Sequence, residues 1–226
     1  MSKGAAIITR SYNRLEYTIR TMNSVVENTK YPDYKHVIVD NGSNDGTRQW
    51  LKWIKEGEGN WFNNVDFEFA PNNLGDWGGM IYGAKKYAKD YKYIVQLDND
   101  ISVPEGWLSA MIETLEAKNV DAVMLRRTGV KNHIKTTDSH ALKLSDGKEV
   151  TVGKIPFVVA CYVTRSDFFL SVCDKVERCR DFGKFLNKSC MKIETMDCNH
   201  MEGWNGVDFP QQQKYPISER TWQKFS

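Results

Sequence analysis

Short apolar, β-branched runs alternate with helix-patterned stretches through the first 126 residues, and few architectures accommodate that order. The extended runs are Ala5 to Thr9, His36 to Asp40, Val65 to Phe69, Tyr93 to Leu97 and Ala122 to Arg126. Between them apolar side chains recur at helical spacing: Leu15, Ile19, Met22 and Val26; Trp50, Leu51 and Ile54; Met80, Ala84, Tyr87, Ala88 and Tyr91; Leu108, Met111, Ile112 and Leu115. A strand, a covering helix and a further strand form a parallel crossover. The series therefore predicts an α/β fold with a mostly parallel central sheet flanked by helices. The helical stripes are the faces that pack on the sheet, core rather than cofactor-binding surfaces.

After Arg126 the alternation stops. Residues 126–154 carry seven Lys or Arg against three Asp or Glu, with a hairpin predicted from Ala141 to Val152 turning at Asp146-Gly147. Pro156 to Thr164 reads as another buried strand, followed by a mixed helical region and a tail rich in aromatics, Gly and Gln. A chain of 226 residues can bury a full core, so one domain is expected over 1–226: a regular half at 1–125 and a smaller mixed portion at 126–226.

The net charge of +2, from 31 basic and 29 acidic residues, gives no global signal for nucleic acid or an anionic membrane. The basic segment after Arg126 allows a phosphate-bearing partner such as modified DNA, although such a run is more often a solvated hairpin. The first apolar run, Ala5-Ala6-Ile7-Ile8, is too short and too soon followed by Arg10 and Arg14 for a signal peptide or a membrane span. The five cysteines are odd in number and form no Cys-x-x-Cys pair. Reduced thiols and a cytoplasmic setting, free or peripheral to a membrane, are expected. A zinc site from Cys173, Cys179, Cys190, Cys198 and His200 has irregular spacing against it.

In a sheet of this kind ligands gather outside the carboxyl ends of the strands. The loops there are Thr9-Arg10-Ser11-Tyr12-Asn13-Arg14, Asp40-Asn41-Gly42-Ser43-Asn44-Asp45-Gly46-Thr47, Pro71 to Gly79, and Asp98-Asn99-Asp100. Alternation along a strand sends Asp98 and Asp100 to one face and Asn99 to the other. Two such carboxylates repel unless a cation or proton lies between them, and hard oxygen ligands suit Mg²⁺ or Mn²⁺. An isolated Asp-x-Asp more often only solvates a turn, so its neighbours decide the reading.

Four motifs in order resemble the nucleotide-sugar glycosyltransferases of the GT-A fold, family 2 type: Ile7 to Arg14, Val37 to Thr47, Asn73-Leu74-Gly75 leading into a helix, and Leu97-Asp98-Asn99-Asp100. The resemblance covers residues 4 to about 125 well and the remainder loosely. It implies a Rossmann-like fold with a nucleotide-sugar-binding half at 1–125 and an acceptor-binding half with a C-terminal tail at 126–226. By the same resemblance Asp40 accepts from a pyrimidine N–H, Thr9 and Tyr12 wall the base and ribose, and Arg10 and Arg14 face a diphosphate or Asp40. Asn73, Gly75, Trp77, Asp98 and Asn99 lie against the donor, and Asp98, Asp100 and His200 hold Mn²⁺ or Mg²⁺. The aspartate of Arg180-Asp181-Phe182-Gly183 is the nearest match to the catalytic base, although Arg180 stands where the family has glutamate. Asp174, Glu177 and Glu202 are alternatives, and Asp181 could equally be a helix cap.

The function implied is metal-dependent, inverting transfer from a UDP-sugar to a hydroxyl acceptor, whether glycan, lipid-linked or other. Two further readings belong beside it: a catalytically weak nucleotide-sugar-binding module of a larger assembly, and a transferase acting on modified DNA. A nucleotidyltransferase ranks last, because the glycine-rich N-terminal phosphate loop of that class is missing.

Overall fold

A computed structural model of the chain describes residues 3–58, 63–130, 133–186 and 189–201. Four strands are parallel neighbours: β1 Lys3–Ser11, β2 Tyr34–Asp40, β3 Val65–Phe69 and β4 Tyr91–Asp98, in the spatial order β3-β2-β1-β4. The remaining strands are β5 Ile101–Ser102, β6 Ala122–Thr128, β7 Thr137–Lys143, β8 Glu149–Ile155, β9 Cys161–Arg165 and β10 Cys190–His200. They continue the sheet as β9-β6-β10-β8-β7, with β5 paired to the end of β10. Because β9 is antiparallel to both β4 and β6, and β10 is parallel to β6, strands β6 and β10 point the same way as β1 to β4. The sheet is mostly parallel, as the alternation predicts.

Helices α1 Leu15–Asn28, α2 Thr47–Trp53 and α4 Trp107–Lys118 pack on one face against Ile7, Val95 and Ile38. Helices α3 Gly75–Tyr87 and α5 Ser166–Val172 cover the other, over Ile8, Val39 and Ile94. The predicted stripes are these buried faces. Tyr91 is an exception: it opens β4 rather than closing α3. The predicted hairpin forms as β7 and β8, with Gly147 at φ 85° in its turn. The strand read from Pro156 begins only at Cys161, where the preceding Ala160 at φ 61° breaks the extended run. The largest departure is β10, an 11-residue strand inside the region read as mixed helix. Among the described residues no helix is long and apolar enough to cross a membrane.

His36, fully buried in β2, places its Nε2 2.9 Å from Thr9 Oγ1. Burial pushes its pKa down to about 3, so the fold keeps neutral a ring that an unfolded chain protonates near 6.5. Stability from this residue is intact above about pH 6.5 and is lost as the pH falls from there toward 3, at about 1.4 kcal/mol per unit. By pH 5 the loss is about 2 kcal/mol. Urea unfolding should give His36→Gln a smaller drop between pH 7 and pH 5 than the parent chain by about that amount. Equal drops would show that His36 titrates alike in both states.

Candidate active site

The loops leaving β1 and β2 are laced together by backbone N–H groups of each donating to side chains of the other. Asn13 and Arg14 both take left-handed conformations, φ 56° and 64°, which non-glycine residues adopt only when surroundings hold them. Three bonds do so here: Asn13 N–H to Ser43 Oγ at 2.8 Å, Arg14 N–H to Asp45 Oδ2 at 2.6 Å, and Asn44 N–H to Asn13 Oδ1 at 2.8 Å. The second loop is pinned in turn to the third. Asn41 Nδ2 donates to Asn73 Oδ1 at 3.1 Å and to the Gly75 carbonyl at 2.9 Å, while Leu74 N–H donates to Asn41 Oδ1 at 3.0 Å. Gly42 is required where the two meet: its φ is +83°, and a Cβ there would lie 2.6 Å from the Asn72–Asn73 backbone.

Asp40 lies beneath this lacing with no exposed side-chain surface. Its Oδ2 accepts from Arg48 Nε at 2.5 Å and its Oδ1 from Ser43 N–H at 3.2 Å. The sequence offers Arg10 and Arg14 as its partners, but the structure gives it Arg48 and sends those two arginines to the aspartates after β4. Parallel register sets Arg10 directly opposite Asp98, with Nη2 2.8 Å from Asp98 Oδ1. Arg14 Nη1 lies 3.3 Å from Asp100 Oδ2. Burial pushes the Asp98 carboxyl up; Arg10 pulls it back, and the neighbouring Asp100 charge pushes it up again.

The two carboxylates reach this corner differently from the predicted alternation. Strand β4 ends at Asp98, and Asn99-Asp100 form a turn, anchored where Asn99 Nδ2 donates to Thr18 Oγ1 at 3.1 Å. Antiparallel pairing of β5 with the end of β10 then sets His200 opposite Ile101 and brings its Nε2 3.4 Å from Asp100 Oδ2. Sequence reasoning placed His200 here by resemblance; the strand that delivers it was not legible.

Among the described residues no three His, Cys, Asp or Glu side chains are drawn up together as metal ligands, and the cysteine-based zinc site does not form. All five cysteines are free thiols. The Asp100 corner nonetheless fits a hard divalent cation in its donor chemistry: Asp100 Oδ1 is buried without any hydrogen-bond partner, beside a second carboxylate and an imidazole nitrogen.

Two expected donor contacts are core residues instead. Thr9 is fully buried with its hydroxyl on His36, and Trp77 is 2% exposed, its Nε1–H donating to the Cys173 carbonyl at 2.9 Å. Trp77 packs at a tilt against Phe169 and Phe182, each with its ring centroid 5.7 Å away, because it sits on the inner face of the first turn of α3. Tyr12, Asn73 and Gly75 do lie exposed at the loop surface.

Asp181 stands in a 3-10 segment, Cys179–Phe185, with Arg178 Nε and Lys184 Nζ each 2.8 Å from one of its oxygens. Those cations hold its pKa down to about 2. Asp174 and Glu177 are exposed, Asp174 paired with Lys85, and Glu202 lies outside the described residues. Beside Asp98 opens a cavity of about 450 Å³ whose wall includes Arg10, Asp76, Gln96, Arg127 and Arg178. Sequence reasoning passed over the last four, and over Arg48, Asn41 and Asp45. The polar loops Asp40 to Thr47 and Pro71 to Gly79 hinted at Asn41, Asp45 and Asp76 alone.

The sequence pattern of glycosyl transferase family 2 matches residues 6–170, well over half of the chain. The chain belongs to this family. A 120-residue stretch of this family 2 chain is 26% identical to glycosyltransferase AglE of Haloferax volcanii, covering 52% of the chain and 37% of AglE. In structure it is similar to GalNAc-T7 solved with UDP, GalNAc and Mn²⁺, at TM-score 0.68 and 12% identity over 92% of the chain and 46% of GalNAc-T7. It is also similar to residues 1–349 of S. aureus TarS with UDP-GlcNAc, at TM-score 0.60 and 15% identity over 88% of the chain and 60% of the TarS fragment. These likenesses show a GT-A fold. The chain spans less than half of AglE and of GalNAc-T7.

Proposed function

We propose that the chain transfers a sugar from a UDP-sugar to a hydroxyl acceptor with inversion, using Mn²⁺ or Mg²⁺. The observation that carries this reading is the Asp98–Asp100–His200 corner, formed by the end of β4, the turn after it and the end of β10, with a buried Asp100 oxygen lacking a partner. The UDP complexes of GalNAc-T7 and TarS support it at the level of the fold. Asp100 and His200 would hold the cation, with Asp98 beside them. When bound, it offsets the charge that builds on the departing diphosphate. Arg10 and Arg14 place two more positive charges at the same corner.

The acceptor hydroxyl must lose a proton as the sugar carbon is attacked. Motif position points to Asp181, and the cavity wall points to Asp76. A carboxylate clamped by two cations and held near pKa 2 is a weak proton acceptor, whereas Asp76 opens onto the cavity beside Asp98. Asp76 is therefore the stronger choice. UDP release by the full chain should be followed with UDP-GlcNAc and UDP-GalNAc, with Mn²⁺ and with a chelator. Metal-dependent release is expected, and Asp76→Asn should lower kcat by about 10²-fold or more while UDP affinity holds. If Asp181→Asn does this and Asp76→Asn does not, the motif reading of the base is right. Tight UDP binding with no release from any donor would favour the binding module.

A further inference from the structure

The wall of the cavity beside Asp98 carries two carboxylates, Asp76 and Asp98. Three guanidinium groups line it: Arg10 is paired with Asp98 and Arg178 with Asp181, at 2.8 Å in each case. Among the described residues the side chain of the third, Arg127, has neither a hydrogen-bond nor an ion-pair partner, and its charge acts on the Asp98 carboxylate only through space. It projects from β6, two strands beyond β4 and on the far side of the sheet order from the loops after β2 and β3.

A second, independent feature points to a ligand. Gln96 is 1% exposed and lines the cavity, yet its Oε1 has no hydrogen-bond partner, and neither does the buried Nη1 of Arg10 next along the wall. An unmade acceptor and an unmade donor, both buried, are costly unless a bound group completes them. What completes Gln96 Oε1 is a hydroxyl proton; what completes Arg10 Nη1 and answers Arg127 is an oxyanion. A smaller cleft shares Arg127 and Val159 with the cavity and is lined also by Arg126, His133 and Lys192; of these, Arg126 is already paired with Asp197 and Lys192 Nζ donates to the Ile134 carbonyl at 2.6 Å.

We propose that this cavity is the acceptor subsite and that it selects acceptors bearing an oxyanion, phosphate or carboxylate, close to the reacting hydroxyl, with Arg127 as the residue that holds the anion. The inference rests on the transferase reading for the word acceptor, but the anion site itself can be tested without turnover. Titration calorimetry on the full chain, saturated with UDP and Mn²⁺, would compare glucose, glucose 6-phosphate and glucuronate. At least one anionic sugar should bind tenfold or more tightly than glucose, and the ratio between the two tells phosphate from carboxylate. Arg127→Ala should remove that preference, Arg127→Lys should restore part of it, and UDP affinity should stay constant across the three proteins.

Equal affinity for glucose and both anionic sugars would overturn the proposal. So would a preference that survives Arg127→Ala, an anionic sugar that competes with UDP, or no detectable binding of either at millimolar concentration. Unchanged UDP affinity in those cases would leave the donor reading standing, whereas loss of UDP binding by the parent chain would sink that reading separately.

Discussion

Replacing Asp100 by alanine is expected to cut metal-dependent UDP release by about 10²- to 10³-fold, the size of effect seen when one preorganised charge-stabilising group is removed from an active site. The reason is local. Asp100 has one oxygen between Arg14 and His200 and the other buried with no partner, so it is the side chain at this corner best placed to take a cation. The same variant should lose the rise in melting temperature that Mn²⁺ gives in the presence of UDP, since a ligand stabilises only the state that binds it. Asp98 is the control. Its carboxylate already meets Arg10 at 2.8 Å, so Asp98→Asn should weaken turnover while leaving some metal response. Full turnover by Asp100→Ala with an unaltered Mn²⁺ requirement would remove the corner from the mechanism.

Trp77→Ala should destabilise the fold by about 3–5 kcal/mol, the usual range for emptying a buried aromatic site. For a chain of this size that is a fall of roughly 10 °C in melting temperature. The indole fills the space among Phe169, Phe182 and the first turn of α3, and its removal also leaves the Cys173 carbonyl without its donor. Trp77→Phe keeps most of the packing and loses the hydrogen bond, so about 1–3 kcal/mol is expected. Thermal and urea unfolding of the two variants measure the difference directly. If Trp77→Ala unfolds like the parent chain but fails to bind UDP, the indole is a donor contact after all.

Strands β1 to β4 and β6, and the four helices between them, were legible because burial on both faces leaves nearly continuous apolar runs, and covering helices repeat at their own period. Tyr91 went to the wrong element because, three residues beyond Ala88, it satisfies the helical spacing and the strand pattern at once. Insertion of β9 antiparallel between β4 and β6 leaves no trace in periodicity, since spatial order is decided by tertiary packing. In the site, the residue types of the four loops were readable, but their pairings were not. Arg10 meets Asp98 through strand register, Arg48 meets Asp40 across a loop, and Trp77 has the same residue type whether it stacks on a ligand or on Phe182.

Strand β10 escaped notice for a reason that also bears on how such a site changes over time. Between Ile193 and Asp197 its pairing with β6 slips, so Leu125 and Arg126, adjacent on β6, face residues four apart on β10. The surplus breaks the two-residue rhythm and sets where the final segment falls along its neighbours. Losing one residue from 194–196 would turn His200 to the opposite side of the sheet and draw it back by about one residue rise, roughly 3.3 Å, while Met191 and Ile193 kept their places in the core. A single codon deletion or insertion there works as a vernier on the imidazole, and because Cys198 is a buried core residue of the same segment, it turns that thiol as well.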